Sequence, residues 1–279
     1  MNEVLSEPEL AALAEAYPLG PPATVLLERA GFPRAHVPSM IGVSAAVFWR
    51  LVNAEIAAGV LENGSERILK IAEAQYPASP IFGSTGIRRV LLVGAAPDGL
   101  PAMRPDRDLA EAVRAVERGG ISVTYRLAAD VTDLDVLGAE RPHLLHLACH
   151  GDGEFLIFEG PSGPRPVAVD DLLGLLDGYA RTSRHRLRGI YLASCDGAAQ
   201  AQRFLSVADR VVAFAGELAD GCAPAFTAHL YRALITAKDL HEAAGLALDR
   251  MTSAQPSCRR LANRLIALPG RRSLNRTDG

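Results

Sequence analysis

From residue 88 onward the chain alternates short apolar runs with amphipathic segments, and that alternation restricts its fold more than any other feature. RRVLLVGAAP, ISVTYRLAA, HLLHLACHG, RGIYLASCDG and RVVAFAGE are each rich in leucine and β-branched residues and are each stopped by turn residues. Runs of that length and composition predict strands. Between them, DRDLAEAVRAVERGG, VTDLDVLGAERP, VAVDDLLGLLDGYA and AAQAQRFLSV place apolar residues at helical spacing, and Gly119-Gly120 stops the first. APAFTAHLYRALITA and LHEAAGLALDRM predict two closing helices, and EFLIFEG a hairpin-like segment behind the third strand. Parallel neighbours need crossover helices, so strands alternating with helices predict an α/β fold with a mainly parallel sheet flanked by helices.

The first 78 residues have a different texture. SEPELAALAEAYP opens with Ser6 as N-cap and Glu9 three residues on, a capping-box pattern. PATVLLERAGF, SAAVFWRLVNAEIAAGV and SERILKIAEAQYP repeat the helical spacing between Gly, Pro and Asn breakers. A small all-α bundle is expected over 1–78, with Phe48, Trp49, Leu51 and Ile56 in its core. Tyr76-Pro77-Ala78-Ser79-Pro80 and the following Ile81-Phe82-Gly83-Ser84-Thr85-Gly86 are rich in Pro, Gly and Ser, which places a linker over 79–87. The α/β domain then spans 88–268, and the polar, basic residues 269–279 read as a flexible tail.

The bulk properties exclude some functions. A formal net charge of -3 gives no electrostatic reason to bind nucleic acid or an anionic membrane. The first 20 residues are acidic and lack the basic and apolar regions of a signal peptide. No run is long and apolar enough for a transmembrane helix. Cysteines stand at 149, 195, 222 and 258 with no CxxC pair and no zinc-ligand spacing. They predict reduced thiols in a cytoplasmic protein, with Cys222 and Cys258 inert.

In parallel sheets, functional groups collect beyond the carboxyl ends of the strands. HLLHLACHG ends at His150 and RGIYLASCDG at Cys195, each followed closely by glycine. Neighbouring strands would bring both side chains to one rim, where a thiol beside an imidazole makes a nucleophile at neutral pH. Gly151 can turn its N–H toward a carbonyl, as an oxyanion donor must. Cys149, inside the apolar strand, should point away from the face that His150 uses. His143, His146, Ile190 and Tyr191 read as core.

These residues carry a family resemblance. Ala148-Cys149-His150-Gly151 followed by Ala193-Ser194-Cys195-Asp196-Gly197 resembles a caspase-like cysteine peptidase of clan CD, in its bacterial CHAT branch. VLLVGAAPDGLPAMRPDRDLAEAVRAV and GELADGCAPAFTAHLYRAL resemble the start and a late segment of that domain, so the likeness covers 88–258. It implies a cysteine endopeptidase in which Cys195 attacks, His150 serves as acid and base, and the amides of Gly151 and Cys195 hold the oxyanion. No metal or organic cofactor is implied. Relatives that cut after Arg or Lys use a pocket acid, in several of them two residues before the cysteine, where this chain has Ala193. Asp152, Asp196, Glu217 and Asp220 are the candidates here, and a basic residue before the cut is the expected preference. Asp196 reads equally well as a cap on the following helix. A protein or peptide substrate strand is expected to pair along the edge of RVVAFAGE.

The first 78 residues resemble bacterial effector-associated, death-fold-like adaptor domains through Ala16-Tyr17-Pro18, Val47-Phe48-Trp49, Leu51, Ala72, Tyr76 and Pro77. That likeness implies recruitment by a sensor or effector protein of a bacterial defence system. The enzyme is expected to stay latent until recruited or cut in an exposed basic loop, 160–169 or especially 179–189. The alternative is a catalytically silent caspase-like adaptor. A non-proteolytic hydrolase is disfavoured by the lack of a GxSxG elbow and of a phosphate-binding glycine loop. A nucleic-acid-binding regulator is disfavoured by the lack of a basic helix.

Overall fold

The computed structural model describes residues 4–77, 79, 81–82, 87–100, 104–116, 121–183, 185–216, 221–237 and 239–269. They form two compact units, Met1–Ser84 and Thr85–Gly279.

The first unit is all helical: α1 (Glu7–Ala16), α2 (Pro21–Ala30), a 3-10 turn at Arg34–His36, α3 (Ala45–Ala57) and α4 (Gly64–Gln75). The expected box starts α1, where the Glu9 carboxylate accepts from the Ser6 N–H at 2.7 Å and the Ser6 hydroxyl at 2.8 Å. Phe48, Trp49, Val52 and Ile56 turn one stripe of α3 inward onto Leu13, Leu26, Leu27 and Ile68. The indole of Trp49 donates to the Tyr17 carbonyl at 3.1 Å, so its one polar atom is satisfied inside the core. Leu51 is not a core residue: it lies off that stripe and stays 42% exposed. The segment expected to be linker contributes to this core, since Phe82 is buried and its ring lies 6.4 Å from Tyr17 and 6.1 Å from Tyr76. Residues 78, 80 and 83–86 of that segment lie outside the described residues.

The second unit begins with β1 (Arg89–Gly94), α5 (Pro105–Val116) and β2 (Ser122–Leu127). The expected helix over VTDLDVLGAERP is a 3-10 stretch, Val131–Val136, running into a short α6 (Leu137–Glu140). Then come β3 (Leu144–Ala148), β4 (His150–Gly151), β5 (Phe155–Phe158), β6 (Arg165–Ala168), α7 (Val169–Ser183), β7 (Gly189–Leu192) and α8 (Gly197–Phe204). The unit ends with β8 (Arg210–Phe214), α9 (Cys222–Leu234), α10 (Leu240–Ala254) and β9 (Leu265–Pro269). The main sheet has six strands in the order β2-β1-β3-β7-β8-β9, parallel except for β9 against β8. A smaller antiparallel sheet, β4-β5-β6, stands beside it.

Strand alternation sends side chains to two separate cores. Leu144, Tyr191 and Val212 pack with Phe226, Leu230, Ala243 and Met251 of α9 and α10. Leu145, Leu147, Ile190 and Leu192 pack with Leu172 and Leu176 of α7 and with Phe204 of α8. The sheet is therefore covered on both faces, which leaves the strand ends as its open border.

Four further expectations need correction. RVVAFAGE offers no edge for a substrate strand, because β9 pairs with β8 from Arg210↔Pro269 to Phe214↔Leu265. The four cysteines are not all reduced thiols: a disulfide joins Cys222, at the start of α9, to Cys258 in the 3-10 segment Pro256–Leu261. The stretch 160–169 is not simply a loop, since Arg165–Ala168 form β6 and Arg165 pairs with Asp130 at 2.9 Å. Nor are the described residues of 179–189 loose. It is helix to Ser183, and the Arg186 guanidinium then donates to Asp209 and to the carbonyls of Leu205, Ser206 and Ala208. Residues 117–120, which include the predicted Gly-Gly stop, and residues 270–279 of the expected tail lie outside the described residues.

Candidate active site

The site grows from the pairing of β3 with β7. Their register ends at Leu147↔Leu192, and the Ala193 N–H donates to the Leu147 carbonyl at 2.8 Å just beyond it. Three further steps of that register would set position 150 opposite position 195, on strands about 4.8 Å apart. The chain instead turns after Ala148 into β4, pairing His150↔Ile157 and Gly151↔Leu156 with β5. This places His150 and Gly151 on a strand rather than on a free loop.

The detour stays beside the β7 exit. A Cβ built on Gly151 would lie 3.5 Å from the Cys195 carbonyl oxygen and 3.3 Å from that of Phe155. One built on Gly153 would lie 3.9 Å from the Ala199 Cβ. The two strand exits singled out in the sequence thus meet at one rim, and His150 and Cys195 are both half-buried there.

Glycine at 197 allows the close approach behind the cysteine. A Cβ there would meet the Ser194 Oγ at 3.0 Å, the Leu192 Cβ at 3.2 Å and the Ala213 Cβ at 3.5 Å. Without it, α8 can begin flat against β7 and β8, directly after Cys195.

The four candidate substrate acids separate into different situations. Asp152 is exposed, and its Oδ1 accepts from the backbone N–H groups of Glu154 at 3.1 Å and Phe155 at 2.9 Å. Those amides hold its carboxyl below the usual range, so it is anionic at neutral pH. Asp196 occupies the N-cap position of α8 but makes no capping bond with its side chain. Its carboxylate instead accepts from the N–H of Gly216, beyond the end of β8, at 2.8 Å. Glu217 and Asp220 lie outside the described residues.

Other thiol and imidazole groups of the same stretch are sealed in the core. Burial pushes the Cys149 thiol up to about 12 and the His146 imidazole down to about 3, so both are neutral at physiological pH. His146 Nδ1 shares a hydrogen bond of 3.1 Å with the Tyr231 hydroxyl, and its ring lies 4.4 Å from that of Tyr191. His143 Nδ1 accepts from the Arg88 N–H at 3.0 Å.

Sequence reasoning missed Asp108, a carboxyl buried under α9. It accepts from the Thr227 hydroxyl at 3.0 Å, and burial raises it to about 7 against that bond. Its signal was present: Asp108, Ala112 and Val116 share the inward stripe of α5, so the helical period already put a charge among apolar residues. Gly216 was also missed; a glycine just past a strand was its only mark. Among the described residues no group of three or more His, Cys, Asp or Glu is arranged to hold a metal ion.

Residues 3–91 match the family model of effector-associated domain 1. The match takes in all four helices of the first unit, in agreement with the resemblance seen in the sequence. No curated protein matches the chain. Among the described residues no helix is long and apolar enough to cross a membrane.

Proposed function

We propose that the α/β unit is a caspase-like cysteine endopeptidase acting through His150 and Cys195, and that the helical unit recruits it to a partner protein in a bacterial conflict system. The observation that carries this reading is the convergence of the two strand exits, with Gly151 packed against the Cys195 carbonyl. The mainly parallel sheet flanked by helices is compatible with that fold. The match to effector-associated domain 1 favours a protein partner and an effector role.

In this mechanism the sulfur of Cys195 attacks the scissile carbonyl carbon and its proton passes to His150. The oxyanion that forms is met by the amides of Gly151 and Cys195. The protonated imidazole gives its proton to the leaving amine, the C–N bond breaks and a thioester remains. A water molecule then attacks the thioester with His150 as base, releasing the carboxylic acid and restoring the thiol. Each proton taken is returned, so the cycle needs no further reactant. Asp152 is the described carboxylate best suited to meet a basic side chain before the cut. The substrate must dock elsewhere than on β8, whose edge β9 occupies.

Incubation with a fluorogenic peptide library and an electrophilic thiol probe tests the assignment, with and without candidate partners. The wild type is expected to cut at least one peptide and to be labelled at Cys195, while Cys195→Ala does neither. A chain that cuts no peptide and takes no probe at Cys195 overturns the proposal and leaves the α/β unit a binding domain.

A further inference from the structure

Asp196 follows the candidate nucleophile directly and holds an unusual backbone. Its φ of 51° and ψ of 21° lie in the left-handed region, which Asp, Asn and Gly tolerate better than other residues. A helix N-cap ordinarily adopts extended backbone and turns its side chain to the first amides of its own helix. Asp196 does neither. Its N–H donates to the Gly216 carbonyl at 3.1 Å, and its Oδ1 accepts from the Gly216 N–H at 2.8 Å. Two bonds therefore join the residue after Cys195 to Gly216, two residues beyond β8, across 20 positions of sequence.

Gly216 is suited to its half of the pairing. Its φ is +72°, and a Cβ on it would approach the Arg264 guanidinium at 3.5 Å. The other side of this exit is fixed as well, because the Ala215 N–H donates to the Arg264 carbonyl at 2.8 Å. Arg264 immediately precedes β9. The loop after β7 is thus tied to a segment that is itself anchored to the sheet.

We propose that Asp196 is a positioning residue: its carboxylate latches the Cys195 loop to Gly216 and so holds the nucleophile at the rim. The inference rests on the peptidase reading for its kinetic consequence. It assigns Asp196 to holding the Cys195 loop, through the Oδ1 that accepts from Gly216, in place of reading substrate charge. A single well-placed hydrogen bond of this kind is worth about tenfold in an equilibrium, and misplacement of a reacting group costs more.

Two substitutions in the full chain separate the possibilities. Asp196→Asn keeps an acceptor and tolerates the left-handed backbone, while Asp196→Gly keeps the backbone and loses the acceptor. Amide exchange at Gly216, iodoacetamide alkylation of Cys195, and kcat and KM on peptides with Arg or Ala before the cut are measured for both. Thermal unfolding identifies any variant that fails to fold.

Asp196→Gly is expected to lose protection at Gly216 and to lower kcat by about tenfold to a hundredfold with KM little changed. Asp196→Asn should recover most of both, equally on the two peptides. The latch is overturned if Asp196→Gly leaves exchange, alkylation and kcat as in the wild type. It is also overturned if Asp196→Asn raises KM for the Arg peptide alone. A wild type that cuts no peptide sinks the peptidase reading, and exchange and alkylation then judge the latch by themselves.

Discussion

The interior of the sheet and its carboxyl rim hold the same two functional groups, with opposite prospects. His146 and Cys149 lie within five positions of His150 on the chain, yet burial leaves the first near 3 and the second near 12. His150 and Cys195 keep contact with water at the rim. Residue type alone therefore says little about chemistry here. The difference lies in whether a charged form can be solvated, and that is decided by where the strand stops.

The largest test of this contrast is a thiol measurement. A buried thiol raised by three pH units has about a thousandfold less thiolate than an ordinary cysteine at neutral pH. Cys149 should accordingly be alkylated far more slowly than the half-buried Cys195 in the native protein, and at an ordinary rate after unfolding. Mass spectrometry of timed, quenched samples reads both. Comparable native rates would erase the distinction between interior and rim.

Asp108 sharpens the contrast through pH. Its carboxyl is raised from 3.8 to about 7, so the unfolded chain releases that proton first and stability is lost as pH climbs through this window. His146 is lowered from 6.5 to about 3, so its contribution has the opposite sign and is lost as pH falls. The two slopes oppose one another across roughly pH 4 to 6.5. Asp108→Asn removes the first and exposes the second. Relative to the wild type, its stability should improve by up to roughly 4 kcal/mol between pH 4 and 8. Urea unfolding at several pH values measures it, and parallel curves for the two proteins would contradict it.

A smaller effect is expected where rim and core meet. Gly197→Ala pushes a methyl against Ser194, Leu192 and Ala213, and should cost about 1–3 kcal/mol with a matching drop in melting temperature. An unchanged melting temperature would mean that α8 can lift away from the sheet without penalty. The smallest effect belongs to the rim alone. Asp152→Ala removes an exposed turn acceptor and should cost less than about 1 kcal/mol; on the proposed peptidase reading it should also slow cleavage after Arg more than cleavage after Ala.

What the sequence disclosed follows the same division. Helical and strand periods are local, so the helical unit, the five parallel strands and the two glycine-flanked exits at 150 and 195 were legible. Leu51 was misplaced because apolar character alone does not say on which side of α3 it falls. β9 was invisible because its RLIALPG run is short and borders the basic tail, and its partner β8 is remote in sequence. The Cys222–Cys258 bond spans 36 positions, and no spacing rule announces such a pair. The Asp196–Gly216 bonds are equally non-local, and an Asp before a helix suggested a cap instead.

The return strand also bears on how the molecule is made. Translation proceeds at roughly 5–20 residues per second, and about fifty residues separate the end of β8 from the start of β9. On the ribosome, β8 therefore waits several seconds for its partner. During that interval the Arg264 carbonyl that steadies Ala215 does not yet exist. The rim is assembled in order of synthesis, with Cys195 early and the strand that braces Ala215 last, so a half-made chain carries the Cys195 loop before its anchor exists.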